Sequence, residues 1–225
     1  MPSPKVITFD FYGTLVQWHQ SLEAAGRAIL VRKDAGASAL TPLLHSFHEV
    51  GRALRDTPPL RTYRDVLRMS LAAALAQQGL SHDLSDDKIL MEHISRIPPF
   101  SEVPDVLRKL QANFKIGLIS NTDDDIIAGS LETLGVVPDY IVTAQQAGAY
   151  KPNLRLFQYA HVKMGIAATE VLHAAASQEL DLQVCETMGI RSIWVNRRGE
   201  TLDDRWHPSA VITDLTDLPS IMHVS

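Results

Sequence analysis

The chain is poor in the residues from which covalent and strongly basic frameworks are built. It has one cysteine, Cys185, among 225 residues. That excludes a disulfide within the chain and a thiolate-based zinc site. Basic charge is not in surplus: 21 Lys and Arg stand against 26 Asp and Glu, for a formal net charge of -5. This balance argues against nucleic acid or an anionic membrane surface as the main partner. No segment reaches the ~20 apolar residues of a membrane span, and the opening MPSPKVITFD lacks the apolar run of a secretion signal. There is no internal repeat and no low-complexity tract. What is present is ordinary for a globular chain, with 45% hydrophobic and 21% charged residues. A length prior of roughly 150 residues per domain predicts one large domain, or a domain carrying a smaller insert. A soluble, cytoplasmic protein is expected, with Cys185 in the core.

Short apolar runs recur along the chain, each followed by polar or turn residues: Val6 to Phe9, Lys115 to Ile119, Tyr140 to Val142, Val171 to Ala174, Ser192 to Val195 and Ala210 to Thr213. Amphipathic stretches alternate with them: Pro104 to Ala112, Asp124 to Leu134, Leu154 to Met164 and Glu179 to Met188. Three of these stop at a glycine, as helices do. The alternation predicts an α/β fold, a parallel sheet flanked by helices. Between Gln17 and Arg96 the texture changes to helical patterns alone: Ser21–Arg32, Thr41–Leu54, Tyr63–Gln78 and Ser85–Ser95. The expected organisation is a core of residues 1–16 and 97–225 with a helical-bundle cap, 17–96, inserted after the first strand.

In a doubly wound sheet, ligands collect beyond the carboxyl ends of the strands. Polar residues fall at four such ends: Asp10, Ser120-Asn121, Lys151, and Ser177-Gln178 with Asp181. Taken singly, each has a plainer use. Asp10 suits a turn, Thr14 and Ser120-Asn121 suit helix caps, and Lys151 suits a solvated loop. The run Asp123-Asp124-Asp125 reads as first-turn charge favouring a helix dipole rather than a metal cluster. Trp18 is placed at the cap entrance and Trp194 in strand packing.

Together these residues resemble the motifs of the haloacid dehalogenase superfamily, over nearly the whole chain. Asp10-x-Tyr12-Gly13-Thr14 matches the first motif, Ser120-Asn121 the second, Lys151-Pro152 the third and Asp181 the last acidic position of the fourth. Tyr12 stands where the superfamily's phosphatases carry a second aspartate, as in its (S)-2-haloacid dehalogenase (type II) branch. Ala176 and Ser177 fall where those phosphatases place a further magnesium carboxylate. Pro99-Phe100-Ser101-Glu102-Val103-Pro104 and Ile193-Trp194-Val195-Asn196-Arg197 also look like that branch.

The resemblance implies a Rossmann-like core with a cap and a metal-independent hydrolase with no cofactor. Its substrate would be a small carboxylate, and the protein a homodimer. It implies that Asp10 attacks a saturated carbon, that Lys151 keeps it ionised, that Thr14 orients it, and that Asp181 activates the water that cleaves the resulting ester. For substrate binding it implies the Phe11 backbone N–H with Ser120, Asn121 at the leaving group, Tyr12 and Tyr63 as pocket walls, and Ser177 and Gln178 beside them. The branch's cap arginine aligns with Leu44, or with His45 after a one-residue shift; Arg52 and Arg55 lie further along the same helix. Phe157 replaces a tyrosine, Gln178 an asparagine, and Leu180 an aromatic. The expected reaction is hydrolytic dehalogenation of a short 2-haloalkanoic acid with inversion. Three alternatives stay open: another leaving group, such as the ring nitrogen of azetidine-2-carboxylate; a magnesium-dependent phosphatase; and a ligand-binding protein without turnover.

Overall fold

The computed structural model describes residues 3–224. In chain order, β1 (Val6–Phe9) leads into four helices: α1 (Trp18–Arg32), α2 (Leu40–Asp56), α3 (Tyr63–Gln77) and α4 (Leu84–Ile94). The alternating part follows: α5 (Val103–Gln111), β2 (Lys115–Ser120), α6 (Asp124–Leu131), β3 (Tyr140–Thr143), α7 (Ala144–Ala147) and α8 (Leu154–Met164). It closes with β4 (Val171–Ala175), α9 (Gln183–Met188), β5 (Arg191–Val195), β6 (Ala210–Ile212) and α10 (Leu218–Ile221). The six strands form one parallel sheet in the order β3-β2-β1-β4-β5-β6. β1 therefore lies at the centre, and its chain neighbour in the sheet, β2, is about 100 residues later.

The strands are apolar because helices cover both faces. β1 and β4 are buried along their whole length, which is the pattern of a parallel sheet rather than the alternation of a half-solvated one. In the four-helix insertion, α2 packs on α3 and α1 on α4. Buried charge ties these pairs together: Asp86 accepts from Arg32 at 2.9 Å and pairs with Lys33 at 2.8 Å, while Asp87 accepts from Arg68 at 2.9 Å. The two chain crossings into and out of the insertion lie side by side. Val16 bridges Pro99, and Gln17 donates from its backbone to Pro98 (3.0 Å) and from its side chain to Pro99 (2.8 Å).

Two expected elements differ. The segment read as a helix from Glu179 opens as a π-helical turn, Gln178–Leu182, before α9 begins. Here the chain must reach from the buried end of β4 into a helix while presenting Asp181 inward, and the wider turn accommodates that. The helix expected to reach Leu134 ends at Leu131, and the chain continues in turns before Gly135 adopts φ +81.

Candidate active site

β1 ends at Phe9 and delivers Asp10, whose backbone N–H is held by the Ala174 carbonyl of β4 at 3.1 Å. The chain then turns sharply. Leu15 and Val16 donate to the Phe11 carbonyl, and Gly13 sits at φ +83, a conformation in which a side chain would be strained. The turn brings Thr14 back over Asp10. The Thr14 hydroxyl donates to Asp10 Oδ2 at 2.7 Å and accepts from the Ala176 N–H at 2.9 Å, joining the first and fourth strand ends. Arg197 holds the same turn from outside: its Nε donates to the Thr14 carbonyl at 2.9 Å, it pairs with Glu102 at 2.6 Å, and it lies 3.8 Å over the Phe100 ring. The stretches around Phe100 and Arg197, far apart in sequence, thus meet behind the turn.

Lys151 enters from the far side. The Asn121 amide clamps its backbone, accepting from the Lys151 N–H at 2.7 Å and donating to its carbonyl at 3.3 Å. The ammonium, 1% exposed, donates to Asp10 Oδ1 at 2.9 Å and to Asp181 Oδ1 at 2.7 Å. Ser177 caps the turn that carries Asp181, accepting from the Leu180 N–H at 3.1 Å. Burial pushes the Asp10 carboxyl above its ordinary range, against the pull of Lys151. Burial acts on Asp181 in the same sense, but Lys151 and His173 outweigh it and hold that carboxyl below its ordinary range. For Lys151 desolvation is outweighed by the two carboxylates, so its affinity for the proton rises.

A cleft of about 890 Å³ opens beside Asp10, between the strand ends and the inserted helices. That falls within the range of small-molecule sites. Tyr12, Trp18 and Tyr63 wall it, with ring centroids 5.2 to 6.5 Å apart. Burial raises the proton affinity of both phenols, so they stay neutral. Ser120 and Asn121 line it, and the Ser120 hydroxyl and Tyr12 hydroxyl have no hydrogen-bond partner among the described residues. Phe11 puts its side chain into the core and is not part of the lining. Ser177 and Gln178 are at the rim. Both ends of the Gln178 amide are engaged, with the Thr201 carbonyl at 2.9 Å and the Asp203 N–H at 2.8 Å.

The expectation for His45 is corrected: it is exposed and outside the cleft. Leu44 lies against the hydrophobic core, so neither alignment placed a polar group in the site. The face of α2 that looks into the cleft carries Phe47, His48, Gly51, Arg52 and Arg55, offset from His45 by the helical repeat. His48 and its neighbour His19 are depressed by burial and by nearby arginines, His19 to about 4, so both are neutral at pH 7. Arg52 pairs with Glu179 at 3.2 Å and is exposed. Arg55 lines the cleft with no carboxylate in ion-pair range among the described residues.

Two further residues have contacts that the sequence did not assign to them. Asp123 caps the inserted helix α3, accepting from the Tyr63 N–H at 2.9 Å and the Arg64 N–H at 3.0 Å. Its neighbours do serve the first turn of α6, and Asp125 pairs with Arg64 at 2.6 Å. The other is His173, buried in β4, which contacts Asp181. The only signal for it in the sequence is a lone imidazole inside an apolar run.

Two carboxylates sharing one buried ammonium thus lie beyond the carboxyl ends of parallel strands, under inserted helices, where α/β folds collect their ligands. The family model for haloacid dehalogenase-like hydrolases matches residues 4–185, and the chain belongs to that family. It is 25% identical over 213 residues to an (S)-2-haloacid dehalogenase of Pseudomonas sp. (strain YL), covering 89% of this chain and 86% of that one. It is also 25% identical over 207 residues to haloacetate dehalogenase H-2 of Moraxella sp. (strain B), covering 91% of each. Its fold matches the L-2-haloacid dehalogenase of Xanthobacter autotrophicus, solved with chloropropionic acid covalently bound, at a TM-score of 0.84 and 19% identity over 98% of both chains.

Proposed function

We propose that the protein hydrolyses a carbon–halogen bond of a 2-haloalkanoic acid through an ester on Asp10, with inversion. The observation that carries this reading is the single ammonium of Lys151 shared between Asp10 and Asp181 at 2.9 and 2.7 Å. One Asp10 oxygen attacks the carbon bearing the halogen. A carbon–oxygen bond forms as the carbon–halogen bond breaks, and halide leaves with the electron pair. Water then adds to the Asp10 carbonyl carbon and one of its protons passes to Asp181. When the tetrahedral centre collapses, the bond from that carbon to the substrate oxygen breaks, and the departing oxygen takes the proton from Asp181 to give the 2-hydroxy acid. The second water proton leaves Asp10 as it re-ionises. Splitting the reaction this way is covalent catalysis.

In this reading Thr14 aims Asp10, and Ser120 with the Phe11 backbone N–H binds the substrate carboxylate. Asn121 serves chiefly by seating Lys151, Tyr12 and Tyr63 exclude water, and Ser177 and Gln178 fix the loops carrying Asp181 and residues 201–203. Arg55 takes the place expected of His45, because it lines the cleft and carries a guanidinium that can pair with an anion. Residues 17–96 act as a cap domain over a core of 1–16 and 97–225. A cytoplasmic location and a homodimer are part of the same proposal, the first supported by the lone buried thiol, Cys185.

The donor set does not fit a magnesium site. Asp10 and Asp181 are joined by an ammonium, Tyr12 replaces a carboxylate, and Ala176 and Ser177 offer no anionic oxygen. The test is a single turnover in oxygen-18 water with racemic 2-chloropropionate as probe. Product carrying its new oxygen from the unlabelled carboxylate, with label then found in Asp10, supports the ester. Label in the product on the first turnover, with Asp10 unlabelled after many, overturns it.

A further inference from the structure

We propose that His173 is a positioning residue for the hydrolytic half of this reaction: its Nε2–H pins Oδ1 of Asp181 and leaves Oδ2 as the atom that receives the proton of the attacking water. The inference rests on the two-step reading above.

β4 is fully buried and reads Val171-Leu172-His173-Ala174-Ala175, so the imidazole is the one polar side chain in it. In the parallel register His173 lies beside Thr8 of β1. The Thr8 hydroxyl is 2.8 Å from Nδ1, and Nε2 is 3.0 Å from Asp181 Oδ1. The Phe157 ring meets the imidazole edge-on, 5.0 Å between centroids, and fixes its plane. The tautomer follows from the partners. Oδ1 already accepts from Lys151 and belongs to an ionised carboxylate, so a bare Nε2 lone pair at 3.0 Å would be repelled. Both the neutral Nε2–H form and the imidazolium put a proton there. In the neutral form the Thr8 proton satisfies Nδ1, its other acceptor being the Leu172 carbonyl at 3.5 Å. The ionisable groups that face the ring are Asp181 directly, Lys151 through the Asp181 oxygen that both contact, and His161 of α8, which lies within electrostatic range of it.

The consequence lies in the two oxygens of Asp181. Oδ1 accepts from two cationic or N–H donors. Oδ2 is buried and has no partner among the described residues. A carboxylate held at one oxygen cannot rotate to offer the other to Lys151, so its basic lone pairs stay directed at one place. Asp10 needs none of this for its own attack, because Thr14 and Lys151 hold it directly. Removing the imidazole should therefore slow ester hydrolysis and spare ester formation.

The experiment compares His173→Leu, which removes the donor, with His173→Gln, whose amide N–H reaches the position of Nε2. Quenched single turnovers with 2-bromopropionate, read by intact-protein mass, separate the two steps. His173→Leu is expected to form the ester at close to the wild-type rate and hydrolyse it about 10- to 100-fold more slowly, the range for losing a hydrogen bond to a charged group. His173→Gln is expected to recover most of that loss. Ester hydrolysis at the wild-type rate in His173→Leu, or equal slowing of both steps in both variants, overturns the proposal. Nitrogen-15 NMR of the resting wild-type protein gives an arm independent of substrate. A protonated Nε2 supports the assignment and a bare one overturns it. If the wild type never gains the ester, the failure is that of the dehalogenase reading, and the NMR arm decides His173.

Discussion

The two walls of the cleft are built on opposite principles. At the strand ends, Asp10, Lys151, Asp181 and His173 form one chain of short hydrogen bonds, and every polar atom in it but one is satisfied. On the side of the inserted helices, Arg52 is exposed, Arg55 is half-buried without a carboxylate partner, and the two imidazoles are neutral. The first wall is preorganised for bond making, since its charges need no rearrangement when the reaction begins. The second wall holds a cation in reserve for an anion that arrives from outside. In the proposed reading the sheet supplies the chemistry and the insertion the choice of substrate, and the two can be separated by substitution.

The largest effect is expected at the first wall. Asp10→Asn should abolish halide release from 2-chloropropionate, by roughly 10⁴-fold or more. Residual turnover near the wild-type rate would break the comparison at its root. Lys151→Met should lose nearly as much activity. It should also cost about 3–5 kcal/mol of stability, because two buried carboxylates lose their shared partner. Denaturant unfolding monitored beside halide release checks both. The pH dependence sharpens the point. Asp10 must be ionised to attack, and burial raises its pKa. Ester formation should therefore be intact at high pH and fail as pH falls through a value above the ordinary carboxylate range. A rate that keeps its full value down into that ordinary range would show that Asp10 is not the desolvated group.

At the second wall the expected change is in binding. Arg55→Met should raise KM about 10- to 100-fold with a smaller change in kcat, the range for a charge-assisted hydrogen bond. Arg52→Met, whose charge is spent on Glu179 at the surface, should move KM less than about 3-fold. Equal effects at the two arginines would mean that the insertion does not single out one cation. The smallest effect belongs to the seam between the walls. Asp123→Ala should leave kcat near wild type while lowering stability by about 1–2 kcal/mol, as loss of a helix cap does. A thermal melt reads it.

Much of the first wall was legible in sequence because its residues follow strands. An apolar run ending in Asp10 or Ser120 tells both which element carries the residue and which end of the sheet it faces; Lys151 and Asp181 come six to eight residues after their strands, in the connections that leave the same end of the parallel sheet. The seam was half legible. Asp124 and Asp125 serve the start of α6 as helix-dipole reasoning expects, but Asp123 turns outward to cap α3, a partner some 60 residues earlier that no local rule names. The second wall was misread by one alignment. Leu44 and His45 were the aligned positions, yet a helix rotates about 100° per residue, so a small shift in register exchanges a core side chain, a solvent side chain and a cleft side chain.

By itself, then, the order of residues determined the layered α/β architecture and the run of helices after the first strand, and its motifs carried the family resemblance from which the proposed nucleophile, its lysine and the second aspartate were read. The architecture depends on local periodicity and on what a strand end presents, and the proposed roles on the match of four short motifs taken together. Only the tertiary structure decided that Arg55 rather than His45 faces the cleft, and that His173 stands beside Thr8 and against Asp181. Those facts depend on helix rotation against a neighbour and on strand register across 165 positions of chain, which hydrophobic patterning leaves undetermined.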